Sequence, residues 1–242
     1  MKKGLIILIT IITLYVLIVI FGFEMLDSNK NIYIGTEVKW SYKNSKWQKE
    51  DIEKDLLLKK YNVYDADTHK YIGKYNLKKV DNNLYLENKN NYELNENNII
   101  FFKGNKIKLY DFKQEYEIES NVIKEILRKV NISEYGELNL MEKTTIDIDN
   151  DGNDEIIYAI SNVYSSMNER NHFSIVALYK NNQYQIIKSN IDSGDSLLYV
   201  YAIVDLNSDN QLELILIDEG FSLSGNTYYM YELKNNDYIE VR

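Results

Sequence analysis

The chain has 242 residues, a net charge of −9, and neither cysteine nor proline. Without cysteine it has no disulfide framework, no cysteine-bound zinc or iron–sulfur centre and no thiol nucleophile. Without proline it contains no Pro-rich linker or PxxP ligand. The negative charge argues against sequence-independent nucleic-acid binding, which depends on Lys and Arg contacts with phosphates. We therefore expect no nucleic-acid partner.

An uncharged apolar segment, residues 4–23, follows a short tip at residues 1–3. A helix of this length spans about 30 Å, the thickness of the bilayer hydrocarbon. Two lysines precede the segment and two acidic residues follow it closely, so the positive-inside rule places the tip in the cytoplasm and the rest outside. A cleaved signal peptide is the alternative, but its apolar core is shorter and ends at small residues. The sequence predicts a single-pass anchor in the cell membrane.

Charge divides the rest of the chain. Residues 144–242 hold 5 basic and 16 acidic side chains, whereas the preceding residues are nearly balanced. Such an asymmetry is a domain signal. We expect a membrane-proximal β-rich region at 24–118, a linking helix within 119–139 and an acidic domain at 140–242.

The region before the acidic domain mixes two kinds of pattern. Apolar residues between Trp47 and Tyr61 follow helical spacing and predict a short amphipathic helix. From Tyr61 to Ile118, apolar and polar residues alternate between Asn-, Asp- and Gly-rich breaks, which predicts antiparallel hairpins. Ser120 precedes an apolar helical period and is the predicted N-cap of the linking helix.

The acidic domain contains a two-copy repeat. Residues 147–155 read DIDNDGNDE and residues 205–213 read DLNSDNQLE, so both fit D-x-[DN]-x-D-[GN]-x-x-E. An apolar strand follows each segment, and a matching hairpin follows each strand, YKNNQY at 179–184 and LKNNDY at 233–238. The copies differ in length between strand and hairpin, where loops vary. Four strands are expected in each copy.

The composition of the nine-residue segment suits a hard cation. Ca²⁺ takes about six to eight oxygen ligands at about 2.3–2.6 Å. Side chains at positions 1, 3 and 5 of a tight loop converge, and position 6 bends with φ > 0, where Gly152 and Asn210 are the least strained residues. Position 7 can offer its carbonyl oxygen, and the glutamate at position 9 can close the shell. An EF-hand is excluded, because Tyr158 and Leu216 occupy position 12 instead of glutamate.

This pattern resembles the calcium loop of FG-GAP/VCBS repeats over about residues 140–242. In integrin α-subunit heads and related bacterial proteins such repeats form β-propeller blades. The resemblance implies two Ca²⁺ ions, held by side chains at positions 1, 3, 5 and 9 and by the backbone of position 7. The implied ligands are Asp147, Asp149, Asp151, Asn153 and Glu155 in the first copy and Asp205, Asn207, Asp209, Gln211 and Glu213 in the second.

The chain also departs from that family. The Phe-Gly and Gly-Ala-Pro motifs that flank family repeats are missing, and position 6 of the second copy is Asn210 rather than glycine. Two copies do not close a propeller of 4–8 blades. Either residues 61–118 supply a degenerate third unit, or the domain is a compact two-blade structure.

Other candidate sites are weaker. His69 and His172 are the only histidines and have no partner at ligand spacing. The segment from Asp65 to His69 is interpreted as a hairpin turn. The sequence contains no G-x-S-x-G elbow, P-loop, dinucleotide fingerprint or H-E-x-x-H motif.

The predicted fold is mainly β, with a transmembrane helix, an antiparallel β region and two four-stranded propeller-blade-like repeats. We expect a membrane-anchored extracellular calcium-binding protein, not an enzyme, that acts as a binding or structural module for a protein or carbohydrate ligand. The alternative is an extracellular hydrolase, or an accessory subunit of a surface enzyme, with structural Ca²⁺. Pocket carboxylates outside the loops, for example among Glu93, Glu115 and Glu117, would favour that alternative.

Overall fold

The computed structural model describes part of the chain, and the predicted membrane segment, residues 4–23, lies outside that part. The described residues are 30–34, 38–43, 46–50, 60–66, 68–80, 83–87, 99–103, 107–110, 114–163, 172–191, 196–220 and 225–242. Among them, no helix combines the length and the apolar character that crossing a bilayer requires.

Seven strands of the N-terminal region form one antiparallel sheet, the N-terminal sheet, in the order β3-β2-β1-β7-β4-β5-β6. They are β1 (Lys30–Ile34), β2 (Val38–Lys43), β3 (Lys46–Glu50), β4 (Lys60–Asp65), β5 (Lys70–Val80), β6 (Asn83–Leu86) and β7 (Ile99–Lys103). The predicted hairpins are confirmed, and the turn before His69 is closed by Asp65 Oδ1, which accepts the N–H of Thr68 at 2.8 Å. In the described part of residues 61–118, β4 to β7 share this sheet with β1 to β3 and form no separate four-stranded unit.

Each copy of the repeat folds as a four-stranded antiparallel meander, as predicted. The first-repeat sheet contains β10 (Leu140–Ile146), β11 (Glu155–Asn162), β12 (Phe173–Lys180) and β13 (Gln183–Ile191). The second-repeat sheet contains β14 (Ser196–Asp205), β15 (Glu213–Gly220), β16 (Asn226–Lys234) and β17 (Asp237–Glu240). A two-residue strand extends the edge of each: β9 (Gln114–Glu115) pairs with β10, and β8 (Lys108–Leu109) pairs with β14.

The three sheets stack face to face, with the second-repeat sheet in the middle. Successive residues of β15 face opposite ways: Ile215 and Ile217 pack against the N-terminal sheet, whereas Leu214 and Leu216 pack against the first-repeat sheet. Burial on both faces explains why the strand after each acidic segment is a continuous apolar run instead of an alternating one.

The linking helix α1 (Ser120–Lys129) covers the outer face of the first-repeat sheet. Its buried residues are Ile123, Ile126 and Leu127. The predicted N-cap is wrong by one position. Glu119 is the N-cap, because its backbone is extended and Ser120 is already helical, and its side chain makes no capping hydrogen bond.

The predicted helix between Trp47 and Tyr61 is wrong at both ends. Trp47 belongs to strand β3 and Tyr61 to strand β4, while residues 51–59 lie outside the described residues. Trp47 is buried together with Trp40 against the second-repeat sheet. Burial of these large rings in a sheet outweighs the helical spacing of the local sequence.

Glu142 is a carboxylate of β10 that lies opposite Ala159 of β11. Ala159 belongs to the core between the two repeat sheets, so Glu142 is placed at the margin of that core. Burial raises the pKa of Glu142 above its ordinary value of 4.5. The native state therefore binds the proton more tightly than the unfolded state, and the stability from this difference is lost as the pH rises through the native pKa.

We therefore expect Glu142→Gln to raise the melting temperature at neutral pH. The variant should have little effect at about pH 4 and below, where the carboxyl group is protonated in both states. Thermal unfolding of the full chain across this pH range measures the difference, and Glu137→Gln, at an exposed position, is the control. A lower melting temperature for Glu142→Gln at pH 7 would contradict the prediction.

Candidate metal centre

Loop 1, residues 147–155, and loop 2, residues 205–213, each connect the first two strands of their repeat sheet. The same kinds of hydrogen bond hold both loops. The aspartate at position 1 accepts N–H groups from the middle of its loop, at 3.0 and 3.1 Å in loop 1 and at 2.6 and 3.3 Å in loop 2. The aspartate at position 5 accepts the N–H of position 7 at 2.8 Å in both. The two segments are therefore copies of one structural unit.

Two left-handed residues bend each loop. Position 6 has a φ of 89° at Gly152 and 66° at Asn210, which confirms the predicted bend. Position 4 is also left-handed, with a φ of 58° at Asn150 and 66° at Ser208. The sequence does not mark position 4 as a bend, because the Ser at this position in loop 2 has a weaker preference than Gly or Asn for this conformation.

Loop 1 brings three carboxylates together. One oxygen from each of Asp147, Asp149 and Asp151 lies within 4.8 Å of the other two. Two ligands on opposite sides of a Ca²⁺ ion are about 5 Å apart, so these three oxygens are close enough to share one ion. Among the residues that the structure describes, this is the one group of three such ligands.

Asp149 has a buried oxygen that lacks a hydrogen-bond donor. Its Oδ2 forms an ion pair with Lys180 Nζ, whereas its Oδ1 is buried and has no partner among the described residues. A buried acceptor left without a donor costs about 1–3 kcal/mol. A cation held by the three aspartates would satisfy this oxygen, so the donor set fits a hard metal ion.

Loop 2 supplies fewer charges than loop 1. Asn207 occupies position 3, where its Nδ2 donates to Asp209 Oδ2 and its Oδ1 accepts the N–H of the same residue, both at 2.9 Å. Asp205 and Asp209 are then the two carboxylates at positions 1, 3 and 5. Because calcium affinity depends on the number of charged ligands, loop 2 is the weaker of the two predicted sites.

The buried glutamate at position 9 accepts a hydrogen bond from the backbone of its own loop. Glu155 Oε2 accepts the N–H of Ile148 at 3.1 Å, and Glu213 Oε2 accepts the N–H of Leu206 at 2.7 Å. Glu155 is 5% exposed and Glu213 is 2% exposed. Each glutamate thus ties position 9 to position 2 of its own loop, a role that sequence analysis did not identify. The ligand roles of positions 1, 3, 5, 7 and 9 stay predictions in both loops.

Glu213 also connects loop 2 with the N-terminal sheet. Trp47 Nε1 donates a hydrogen bond to Glu213 Oε1 at 3.2 Å. Burial raises the pKa of Glu213 to about 8, and the nearby Asp209 adds to this, while the donors Leu206 N–H and Trp47 oppose it. Burial also raises the pKa of Glu155, opposed by a backbone N–H and a lysine. Hydrogen-bond donors thus reduce the cost of keeping both carboxylates in the interior.

The two loops lie side by side. The N–H of Leu212, at position 8 of loop 2, donates to the carbonyl oxygen of Ile148, at position 2 of loop 1, at 2.9 Å. Tyr238 adds a second constraint, because its hydroxyl donates to the carbonyl oxygen of Leu212 at 2.8 Å. Both loops are therefore fixed at the same margin of the stacked sheets.

Two residues that contact the loops, Trp47 and Lys180, were not among the predicted site residues. Lys180 carries a signal, because a lysine precedes the Asn-Asn turn in both hairpins of the repeat. Trp47 has no such sequence signal, since it lies far from loop 2 along the chain and contacts this loop only because the sheets pack together.

A surface groove outside the loops holds other carboxylates. It has a volume of about 520 Å³ and is lined in part by Glu115, Glu117 and Glu119. Glu115 pairs with Lys143 at 3.1 Å, and all three glutamates are exposed. A carboxyl group that serves as a general acid near neutral pH is usually desolvated, which exposure prevents. Glu93 lies outside the described residues.

Comparisons of the chain with protein-family models, with curated proteins and with solved structures find no match. The resemblance to FG-GAP/VCBS repeats therefore rests on the loop residues and on the four-stranded sheets around them. The candidate site in loop 1 consists of three aspartate carboxylates, and carboxylate oxygens are ligands that Ca²⁺ prefers.

We expect Trp47→Phe to destabilise the protein more than Trp40→Phe, by about 2 kcal/mol, because it leaves the buried Glu213 Oε1 without its donor. Trp40 is a matched control: it is buried in the same core, and its Nε1 has no hydrogen-bond partner among the described residues. Urea unfolding of both variants measures the difference. Equal losses of stability would show that the Trp47–Glu213 hydrogen bond is unimportant.

Proposed function

We propose that this protein is a calcium-binding β-repeat module, anchored by one helix at the outer face of a cell membrane, in which Ca²⁺ rigidifies the repeat loops. One observation carries the calcium assignment: Asp147, Asp149 and Asp151 converge, and a buried oxygen of Asp149 has no donor among the described residues. The anchor is supported by the apolar segment 4–23 and the charges that flank it.

The metal has a clear physical role in this proposal. Residues 144–242 carry 16 acidic side chains and 5 basic ones, and the aspartates of each loop repel one another at close range. The chain has no cysteine, so no disulfide stabilises it outside the cell. A divalent cation that binds the folded loops, and not the unfolded chain, stabilises the fold by mass action.

The proposed activity is binding or structural support, and the partner is an extracellular protein or carbohydrate. The groove beside Glu115 and Glu117 supports a second candidate, an extracellular hydrolase or accessory subunit with structural Ca²⁺. Exposure of those glutamates favours the first candidate. Turnover of a polysaccharide or peptide substrate that is lost in Glu117→Gln would favour the second.

We expect Ca²⁺ to raise the melting temperature of the full chain, purified in detergent, relative to the same protein in EGTA. At a free concentration about a hundred times Kd, one site adds about 2.7 kcal/mol, which is roughly 5–10 °C for a protein of this size. Mg²⁺ should give a smaller shift, because it demands a tighter octahedral shell. Identical melting curves with Ca²⁺ and with EGTA would disprove the calcium assignment.

Loop variants should divide this shift between the two sites. Asp147→Ala with Asp151→Ala should remove the larger part of the Ca²⁺-dependent shift, and Asp205→Ala with Asp209→Ala the smaller part, because loop 1 has one more carboxylate.

Asp154→Ala is the control for this experiment, since it removes an exposed carboxylate from position 8 of loop 1, outside the ligand set. Differential scanning calorimetry with and without Ca²⁺ measures all three. A full shift in the loop 1 variant would rule out loop 1 as the principal site.

A further inference from the structure

Lys180, the last residue of β12, reaches into loop 1. Its Nζ forms an ion pair with Asp149 Oδ2 and lies 3.8 Å from Glu155 Oε1. The side chain of Lys180 is only 8% exposed. An ammonium group that is largely buried between two carboxylates acts as a fixed counter-charge, and water screens it less than it screens a surface lysine.

The second copy of the repeat lacks this arrangement. Lys234 occupies the position that matches Lys180, in front of the same Asn-Asn turn. Its side chain is 44% exposed and pairs with Glu232, two residues away in its own strand. Loop 2 has the neutral Asn207 at the position that corresponds to Asp149.

The additional carboxylate, Asp149, and the buried lysine, Lys180, therefore occur together in loop 1. In loop 1, positions 1, 3, 5 and 9 hold four carboxyl groups, and one ammonium group lies beside those at positions 3 and 9. In loop 2, the same positions hold three carboxyl groups and one amide. Loop 1 thus has one more carboxylate ligand than loop 2, and Lys180 offsets part of that additional charge.

We propose that Lys180 is a tethered cation that keeps loop 1 folded without calcium and lowers the calcium affinity of that loop. The inference rests on the proposed binding of Ca²⁺ by loop 1. Lys180 occupies Asp149 Oδ2 and leaves Oδ1 for the metal ion. The ammonium group and a bound Ca²⁺ ion repel each other at a separation of a few ångströms, which weakens binding, and without the metal the same ammonium group neutralises Asp149.

The test compares Lys180→Met with Lys234→Met in the full chain. Both variants carry Asp205→Ala and Asp209→Ala, so that loop 1 alone is titrated, and the parent with only those two changes is the reference. Isothermal titration with Ca²⁺ should give a Kd at least about tenfold lower for Lys180→Met, because the repulsion between the charges is gone. The melting temperature in EGTA should fall in Lys180→Met, and neither quantity should change in Lys234→Met.

A second pair of variants covers the case in which Lys180→Met does not fold without calcium. Asp149→Asn combined with Lys180→Met reproduces the composition of loop 2 and leaves no carboxylate unpaired at position 3. This double variant should bind Ca²⁺ at least about tenfold more tightly than Asp149→Asn alone, because the lysine opposes the metal in both backgrounds.

The outcomes separate the two hypotheses. If neither the parent nor any variant gives heat of Ca²⁺ binding, calcium binding by loop 1, on which this inference rests, is rejected. Calcium binding by the parent, with a Kd that removal of Lys180 leaves unchanged or raises in both backgrounds, would overturn the role of Lys180 and leave the calcium function standing.

Discussion

The second-repeat sheet is buried on both faces, and the arrangement of polar groups in the molecule follows from this. One face packs on the N-terminal sheet and the other on the first-repeat sheet. Charged side chains therefore collect at the ends of its strands, in loop 2 and near the edges. Glu213, at the end of loop 2, is nevertheless buried, and it is tolerated because the N–H of Leu206 and the indole of Trp47 both donate to it.

The two copies of the repeat differ because their outer faces meet different neighbours. Helix α1 covers the outer face of the first-repeat sheet, whereas the N-terminal sheet covers that of the second. The glutamate at position 9 accepts a backbone N–H in both copies. Its further neighbour is Lys180 in the first copy and Trp47 in the second. The two copies thus differ both in sequence and in the residues that surround their loops.

The segment between the N-terminal sheet and α1 connects two regions of the chain, the nearly neutral residues 24–118 and the acidic residues 140–242. These regions differ in charge, but the structure does not separate them. Its strand β8 extends the second-repeat sheet and its strand β9 extends the first. The N–H of Ile107 in the same segment donates to the hydroxyl of Tyr64 at 2.8 Å, and Leu109 lies in the core beneath the N-terminal sheet. The described parts of residues 24–118 and 140–242 consequently share one core and one set of hydrogen bonds.

The features that depend on local pattern can be predicted from the amino-acid sequence. Turn residues and apolar runs predicted the hairpins and the four strands of each repeat, and Gly152 and Asn210 marked the bend of each loop because few residues adopt φ > 0 without strain. The features that depend on packing between sheets become visible only in the folded structure. Trp47 lies in a strand despite its helical spacing, and Lys180 and Trp47 reach the position-9 glutamates, because packing between sheets joins residues that no local period relates.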